Sequence, residues 1–139
     1  MSDITSLGGI PLYLVAMFLF LFSGQGHVFI FLTLGLILIY AIASSIRWFW
    51  FKKRPDKQKY KNWLQRIDAS AFPSLHSARA AFLAAAVFWY YQNLSLLLIL
   101  LVAVFGVGYT RVYLNRHDWK DVIGGYVVGA AVFLLLGLL

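Results

Sequence analysis

The sequence has no cysteine, only 3 prolines and only 5 acidic residues in 139. The missing cysteine excludes disulfides and thiolate chemistry. No Cys/His metal spacing and no carboxylate cluster suited to magnesium are present, so neither a metal nor a cofactor is expected. Charge of either sign is scarce, at 12%, while apolar residues make up 62%. A soluble domain of this size cannot hide that much apolar surface. The chain therefore reads as an integral-membrane protein. Its net charge of +7 would suggest nucleic acid in a soluble protein. In a membrane chain it points to anionic headgroups or phosphate ligands, with no nucleic acid partner. The opening "MSDITSLGG" lacks a basic n-region, so no cleavable signal peptide is expected.

Five apolar segments are legible: Ile10 to Phe22 (with a start as early as Ile4), Val28 to Phe51, Ser74 to Tyr91, Leu94 to Leu114 and Lys120 to Leu139. A bilayer core takes roughly 20 helical residues. The second, fourth and fifth reach that length comfortably. The turns "SGQGH" and "YQNLS" are short, as between antiparallel helices. The longest polar stretch, residues 52–70, places Tyr60, Trp63, Leu64 and Ile67 at helical spacing, with lysines, Gln65 and Arg66 on the other face. It predicts a short amphipathic helix at the membrane surface. The fold class is all-α: a membrane bundle of about five crossings plus this interfacial helix, with residues 1–139 as one membrane-embedded domain.

An odd number of crossings puts the N-terminus and the loops after the second and fourth segments on one side. Every charged residue then falls on that side or within a turn of it. The other side carries only His27 and uncharged polar groups. Chemistry therefore belongs in a polar cap on an apolar bundle.

Three clusters converge there: "RWFWFKKRP" from Arg47, "PSLHSAR" from Pro73 and "TRVYLNRHDWKD" from Thr110. Arg47 and Arg54 flank the end of the second helix, and an arginine fork matches phosphate oxygens. Each alone could equally be a snorkelling interfacial arginine. Pro73 and Ser74 look like a helix start, whose free N–H groups favour anions, although Ser74 by itself is more often only a cap. His76 falls within the first turn. Arg79, at i+3, shares its face or snorkels to headgroups. His117 and Asp121 are four apart and share a face if the last helix begins near His117. A carboxylate on one imidazole nitrogen frees the other as base or nucleophile. The alternative for that pair is an incidental helix-end contact. Thr110 and Arg111 end the fourth helix, and an arginine there is a site hypothesis by default. The combined inventory suits phosphoryl transfer without a metal: one histidine attacks phosphorus, the other protonates the leaving oxygen, and arginines hold the equatorial charge.

With these residues in place, the chain resembles the type 2 phosphatidic acid phosphatases, the PAP2 or lipid phosphate phosphatase family. That family's first motif is Lys, six residues, Arg-Pro; here it reads Arg47 and, six residues on, Arg54-Pro55. Its second, Pro-Ser-Gly-His, reads Pro73-Ser74-Leu75-His76. Its third, Ser-Arg, five residues, His, three residues, Asp, reads Thr110-Arg111, His117, Asp121. Order and internal spacing agree over residues 47–121. The resemblance implies that His117 forms a phosphohistidine, that Asp121 orients it and that His76 is the general acid. It implies that Arg47, Arg54 and Arg111 bind phosphoryl oxygens with Ser74 and Thr110, and that the Leu75 N–H takes the place of the glycine N–H. Three positions depart from the pattern: Arg47 for lysine, Thr110 for serine and Leu75 for glycine. Leucine strains the site if the family's glycine sits at positive φ. The chain is also one helix short of the six-helix arrangement the resemblance implies.

The function expected is a lipid phosphatase acting on phosphatidic acid, phosphatidylglycerol phosphate or a polyprenyl diphosphate. A lipid phosphotransferase is the alternative enzyme, and a catalytically impaired phosphate-lipid binder the alternative class. A transporter or channel fits less well, because the far side is almost bare of polar residues. The setting is multi-pass in the cell (inner) membrane. The lysines favour a cytoplasmic cap, whereas the resemblance pulls toward the outer face. Gly125 and Gly129 offer a small-residue stripe for a possible homodimer.

Overall fold

The structure, a computed structural model, describes residues 7–55 and 61–138. Among the described residues, six helices follow one another: α1 (Ile10–Phe22), α2 (Gly26–Phe49), α3 (Trp63–Ala69), α4 (Leu75–Tyr91), α5 (Leu94–Tyr113) and α6 (Trp119–Gly137). Each apolar segment becomes one helix, with ends within two residues of the sequence reading. α2, α5 and α6 are long and apolar enough to cross a membrane by length and composition. α1, at 13 residues, and α4, at 17, are shorter.

Local signals set the boundaries. Pro11 opens α1, where its missing N–H costs nothing. Gln92 ends α4 in the left-handed region at φ 50°, and the Asn93 side chain then accepts from Leu96 N to cap α5. The whole α4–α5 turn is two residues, which forces the two helices antiparallel. In the 52–70 stretch, α3 begins only at Trp63. Gln65 Oε1 accepts from the Lys61 and Asn62 N–H groups and stops the helix there. Tyr60 lies outside the described residues. The Trp63 ring sits edge-on against Trp48, with centroids 3.7 Å apart. That contact and the bond from Arg47 to the Ile67 carbonyl pin α3 under the end of α2.

Inside the bundle, Tyr13, Met17, Leu32, Ile39, Phe82 and Val132 form the buried core. The Tyr13 hydroxyl donates to the Leu32 carbonyl at 2.8 Å, which satisfies the one polar atom it brings inside. The outward faces remain apolar: Phe22, Val102, Leu98 and Val127 are all exposed. A helix greasy on both sides is a helix in lipid.

α4 packs most extensively on α6. Two glycines permit this. A Cβ at Gly125 would collide with the Ser74 carbonyl, and one at Gly129 with the Ala78 carbonyl. The glycine stripe suggested for a homodimer is thus used within the chain, to bring α6 against the start of α4.

Candidate active site

Hydrogen bonds stitch the three motif clusters together at one end of the bundle. Arg47 Nη2 donates to the Pro73 carbonyl at 2.8 Å. The Ser74 N–H donates to the Asp121 carbonyl at 3.0 Å. The His117 N–H donates to the Arg111 carbonyl at 3.2 Å. The end of α2 therefore holds the start of α4, which holds the start of α6, which is tied to the end of α5. The loop after α2 is fastened to the strand of chain before α4 by Ala71 N to Lys52 O at 2.7 Å and Lys52 N to Ser70 Oγ at 3.2 Å.

These ties enclose a cavity of about 260 Å³, lined by Ile10, Tyr40, Arg47, Arg54, Asp68, Leu75, His76, Arg79, Arg111 and His117. Both predicted histidines and all three predicted arginines reach its wall. Four arginines face one carboxylate, Asp68, so the cavity is built for an anion.

His117 is deeply set at the wall, 3% exposed. It is not on α6, as the shared-face reading supposed, but two residues before it. Asp118 is the N-cap, and its side chain accepts from Asp121 N while Asp121 Oδ2 accepts from Asp118 N, both at 3.0 Å. This reciprocal box turns the Asp121 carboxylate back toward the loop. His117 Nδ1 consequently lies 3.7 Å from Asp121 Oδ2, just beyond a hydrogen bond, and has no other partner. Burial holds the His117 pKa below its usual value and the Arg111 charge adds to that, against the pull of Asp121. The imidazole is neutral at pH 7, with a lone pair to offer.

One residue of this centre was not singled out from the sequence. Lys52 Nζ bridges Asp118 Oδ2 at 2.6 Å and Asp121 Oδ1 at 2.7 Å. These two carboxylates raise the lysine pKa despite the desolvation that opposes them. Asp121, fully buried, thus has one oxygen on Lys52 and the other on the Asp118 N–H, facing His117. Nothing in "FKKRP" distinguishes Lys52 from its basic neighbours. Only the loop's path over the start of α6 does.

Other placements differ from expectation. Ser74 and Thr110 sit behind the cavity wall. Ser74 Oγ accepts from the Ser77 N–H and hydroxyl, and Thr110 Oγ1 donates to the Val107 carbonyl at 2.8 Å. Both hydroxyls are taken up by their own helices. Arg47 reaches the cavity but spends Nη1 and Nη2 on the Ile67 and Pro73 carbonyls. Arg54 Nη2 donates to the Asp68 carbonyl at 2.6 Å. Leu75 opens α4 and is not among the positive-φ residues, so the leucine is unstrained, and its side chain forms part of the wall. Arg79 does not snorkel to headgroups: it is 3% exposed and faces the cavity. Tyr40, also at the wall, lies seven residues before Arg47, two turns along the same helix face. That spacing was available in the sequence.

Two histidines and four arginines thus surround one cavity in a helical membrane bundle, and the match to a family of known activity makes it a lipid phosphatase. A model of the PAP2 superfamily matches residues 27–138, and the chain belongs to that superfamily. No curated protein matches the sequence. Among solved structures, the chain is similar to LpxE of Aquifex aeolicus, with a TM-score of 0.81 and 24% identity over 99% of this chain and 83% of that one. It is also similar to a transmembrane PAP2-type phosphatidylglycerolphosphate phosphatase from Bacillus subtilis, with a TM-score of 0.64 and 24% identity over 99% of this chain and 73% of that one.

Proposed function

We propose that this chain hydrolyses a phosphate ester or diphosphate of a membrane lipid through a phosphohistidine on His117, without a metal. The observation that carries the reading is that His117 and His76 open onto the same arginine-lined cavity. His117 Nε2 attacks phosphorus, while Asp121 faces Nδ1 and stabilises the positive charge that develops on the ring. Arg54 and Arg111 hold the equatorial oxygens, with Arg47 behind them. The N–H of Leu75, in the first turn of α4, has no partner within its helix and adds a donor. The P–O bond to the leaving group breaks, and His76 gives that oxygen its proton. Water then attacks the phosphohistidine, His76 takes the water's proton, and inorganic phosphate leaves.

Residues 1–139 act as one membrane-embedded unit in this reading, because the site takes residues from both ends of the chain, Ile10 to His117. The excess of lysine and arginine at the cap supports a cytoplasmic face. The test is phosphate release from detergent-solubilised protein over a panel of lipid phosphates and diphosphates, with excess EDTA. Release that survives EDTA and disappears in His117→Ala is the expected result. Release that EDTA abolishes would sink the metal-free mechanism. No release from wild type, alongside release from Leu75→Gly, would make Leu75 a block. Silence from both, with lipid phosphate still bound, would make the protein a binder.

A further inference from the structure

The three family motifs account for Arg47, Arg54 and Arg111. They leave the fourth arginine of the cavity, Arg79, without a task. Arg79 is buried, and it forms no ion pair among the described residues. Its Nε donates to the Gly8 carbonyl at 3.0 Å and its Nη1 to the Tyr40 hydroxyl at 2.6 Å. Its guanidinium carbon stands 5.8 Å from the centre of the Tyr40 ring. All these partners are neutral, and Nη2 takes part in none of these bonds. A buried guanidinium held only by neutral groups is costly unless an anion completes it.

Position says which anion. α4 starts at the cap, so Arg79 lies one turn further into the bundle than His76. α2 ends at the cap, so Tyr40 lies roughly 10 Å further in than Arg47. The cavity therefore has two levels. The upper holds His117, Arg47, Arg54 and Arg111. The lower holds Arg79 and Tyr40, with Ile10 at its apolar edge. His76 stands between the levels.

We infer that Arg79 and Tyr40 form a second phosphoryl subsite, which makes a lipid diphosphate the preferred substrate. This rests on the phosphatase reading above and names its substrate class. In a lipid diphosphate the terminal phosphoryl group points away from the membrane and the second is attached to the lipid, nearer the bilayer. The two levels match that order. His117 attacks the terminal phosphorus, and the bond to the bridging oxygen breaks. His76 protonates that oxygen. Arg79 holds the lipid monophosphate that leaves, and water returns His117 to its free form with release of inorganic phosphate. Charge agrees. Four arginines against Asp68 leave three positive charges at the wall, suited to a diphosphate ester of about three negative charges rather than a monoester of about two.

The test compares kcat/KM for a polyprenyl diphosphate and the polyprenyl monophosphate of the same chain length, in the same micelles, with EDTA. Wild type is expected to favour the diphosphate at least tenfold. Tyr40→Phe removes one hydroxyl and leaves the packing. Arg79→Lys keeps the charge and loses the fork. Both are expected to cut the diphosphate-to-monophosphate ratio at least tenfold. A ratio unchanged in Tyr40→Phe and Arg79→Lys would overturn the subsite and leave Arg79 a tie for the Gly8 segment. A folding defect would lower both substrates together and leave the ratio alone, so it counts against the subsite too. If wild type is an EDTA-resistant, His117-dependent phosphatase with no diphosphate preference, the subsite fails and the phosphatase reading stands. If wild type releases phosphate from neither polyprenyl lipid, the subsite fails, and the phosphatase reading fails with it only if the other lipid phosphates of the panel, and Leu75→Gly, are silent too.

Discussion

The two ends of this bundle are held together by different physics. At the far end, Phe31 stacks on Trp89 and meets Phe133 edge-on, with centroids 5.8 Å apart in both pairs. Those contacts involve no hydrogen bond, and Trp89 itself is half-exposed on the outer surface. At the cap, Arg47, Lys52 and Arg79 each reach across to another segment through hydrogen bonds of 2.6 to 3.4 Å. The ring contacts at the apolar end tie no particular polar atom to another, whereas at the cap each bond needs a particular atom in a particular place. A bilayer supplies no hydrophobic force between helices, so the cap contributes the register that the greasy faces leave open.

Substitutions can separate the two ends. The largest effect belongs to His117→Ala, which is expected to cut phosphate release at least about a thousandfold, or ~4 kcal/mol in the barrier. Its thermal unfolding in detergent should stay close to wild type. Next is Phe82→Ala in the apolar core, fully buried. It is expected to lower stability by about 3 kcal/mol, read from denaturant unfolding, with kcat/KM of the folded fraction within about threefold.

Lys52→Met tests the clamp within the cap. It leaves the Asp118 and Asp121 carboxylates without their cation. Release is expected to fall about 10- to 100-fold. The sign of its pH effect is set by charge. With Lys52 gone, Asp121 presents more negative potential to His117, the His117 pKa rises, and the acidic limb of kcat/KM moves to higher pH. In wild type that limb is expected below pH 6.5, because burial lowers the His117 pKa from its ordinary 6.5. A limb at or above 6.5 in wild type would contradict the neutral, desolvated imidazole. The smallest effect is Phe105→Ala on the lipid-facing side, where the ring is 60% exposed. Stability should change by less than about 0.5 kcal/mol and release by less than about twofold.

The helices were readable because each is written in a local code. Apolar runs of fixed length, broken by "SGQGH" and "YQNLS", set five helices with ends within two residues. The site was readable to the extent that its spacing is local too. Arg47 to Arg54, Pro73 to His76 and His117 to Asp121 are each within one or two turns. What spacing could not show was direction. Ser74 and Thr110 have hydroxyls of the right type that turn inward to their own helices. His117 and Asp121 have the i, i+4 spacing of a helix pair, yet the helix starts two residues after His117, and a capping box between Asp118 and Asp121 turns the carboxylate toward the imidazole. Lys52 looked like any interfacial lysine, and for Arg79 the spacing left two readings, the face of His76 or a headgroup contact, of which the structure takes the first.

By itself, then, the sequence determined that the chain is a membrane bundle, where its helices run, and which end carries charge, because composition and periodicity act over a few residues. Only the tertiary structure decided that Lys52 clamps Asp118 and Asp121, that Gly125 and Gly129 serve α4 rather than a second copy, and that Arg79 and Tyr40 share the cavity with His76. Those contacts join residues 39 to 71 positions apart. At that separation a side chain's partner is set by how whole helices pack, and no local pattern records it.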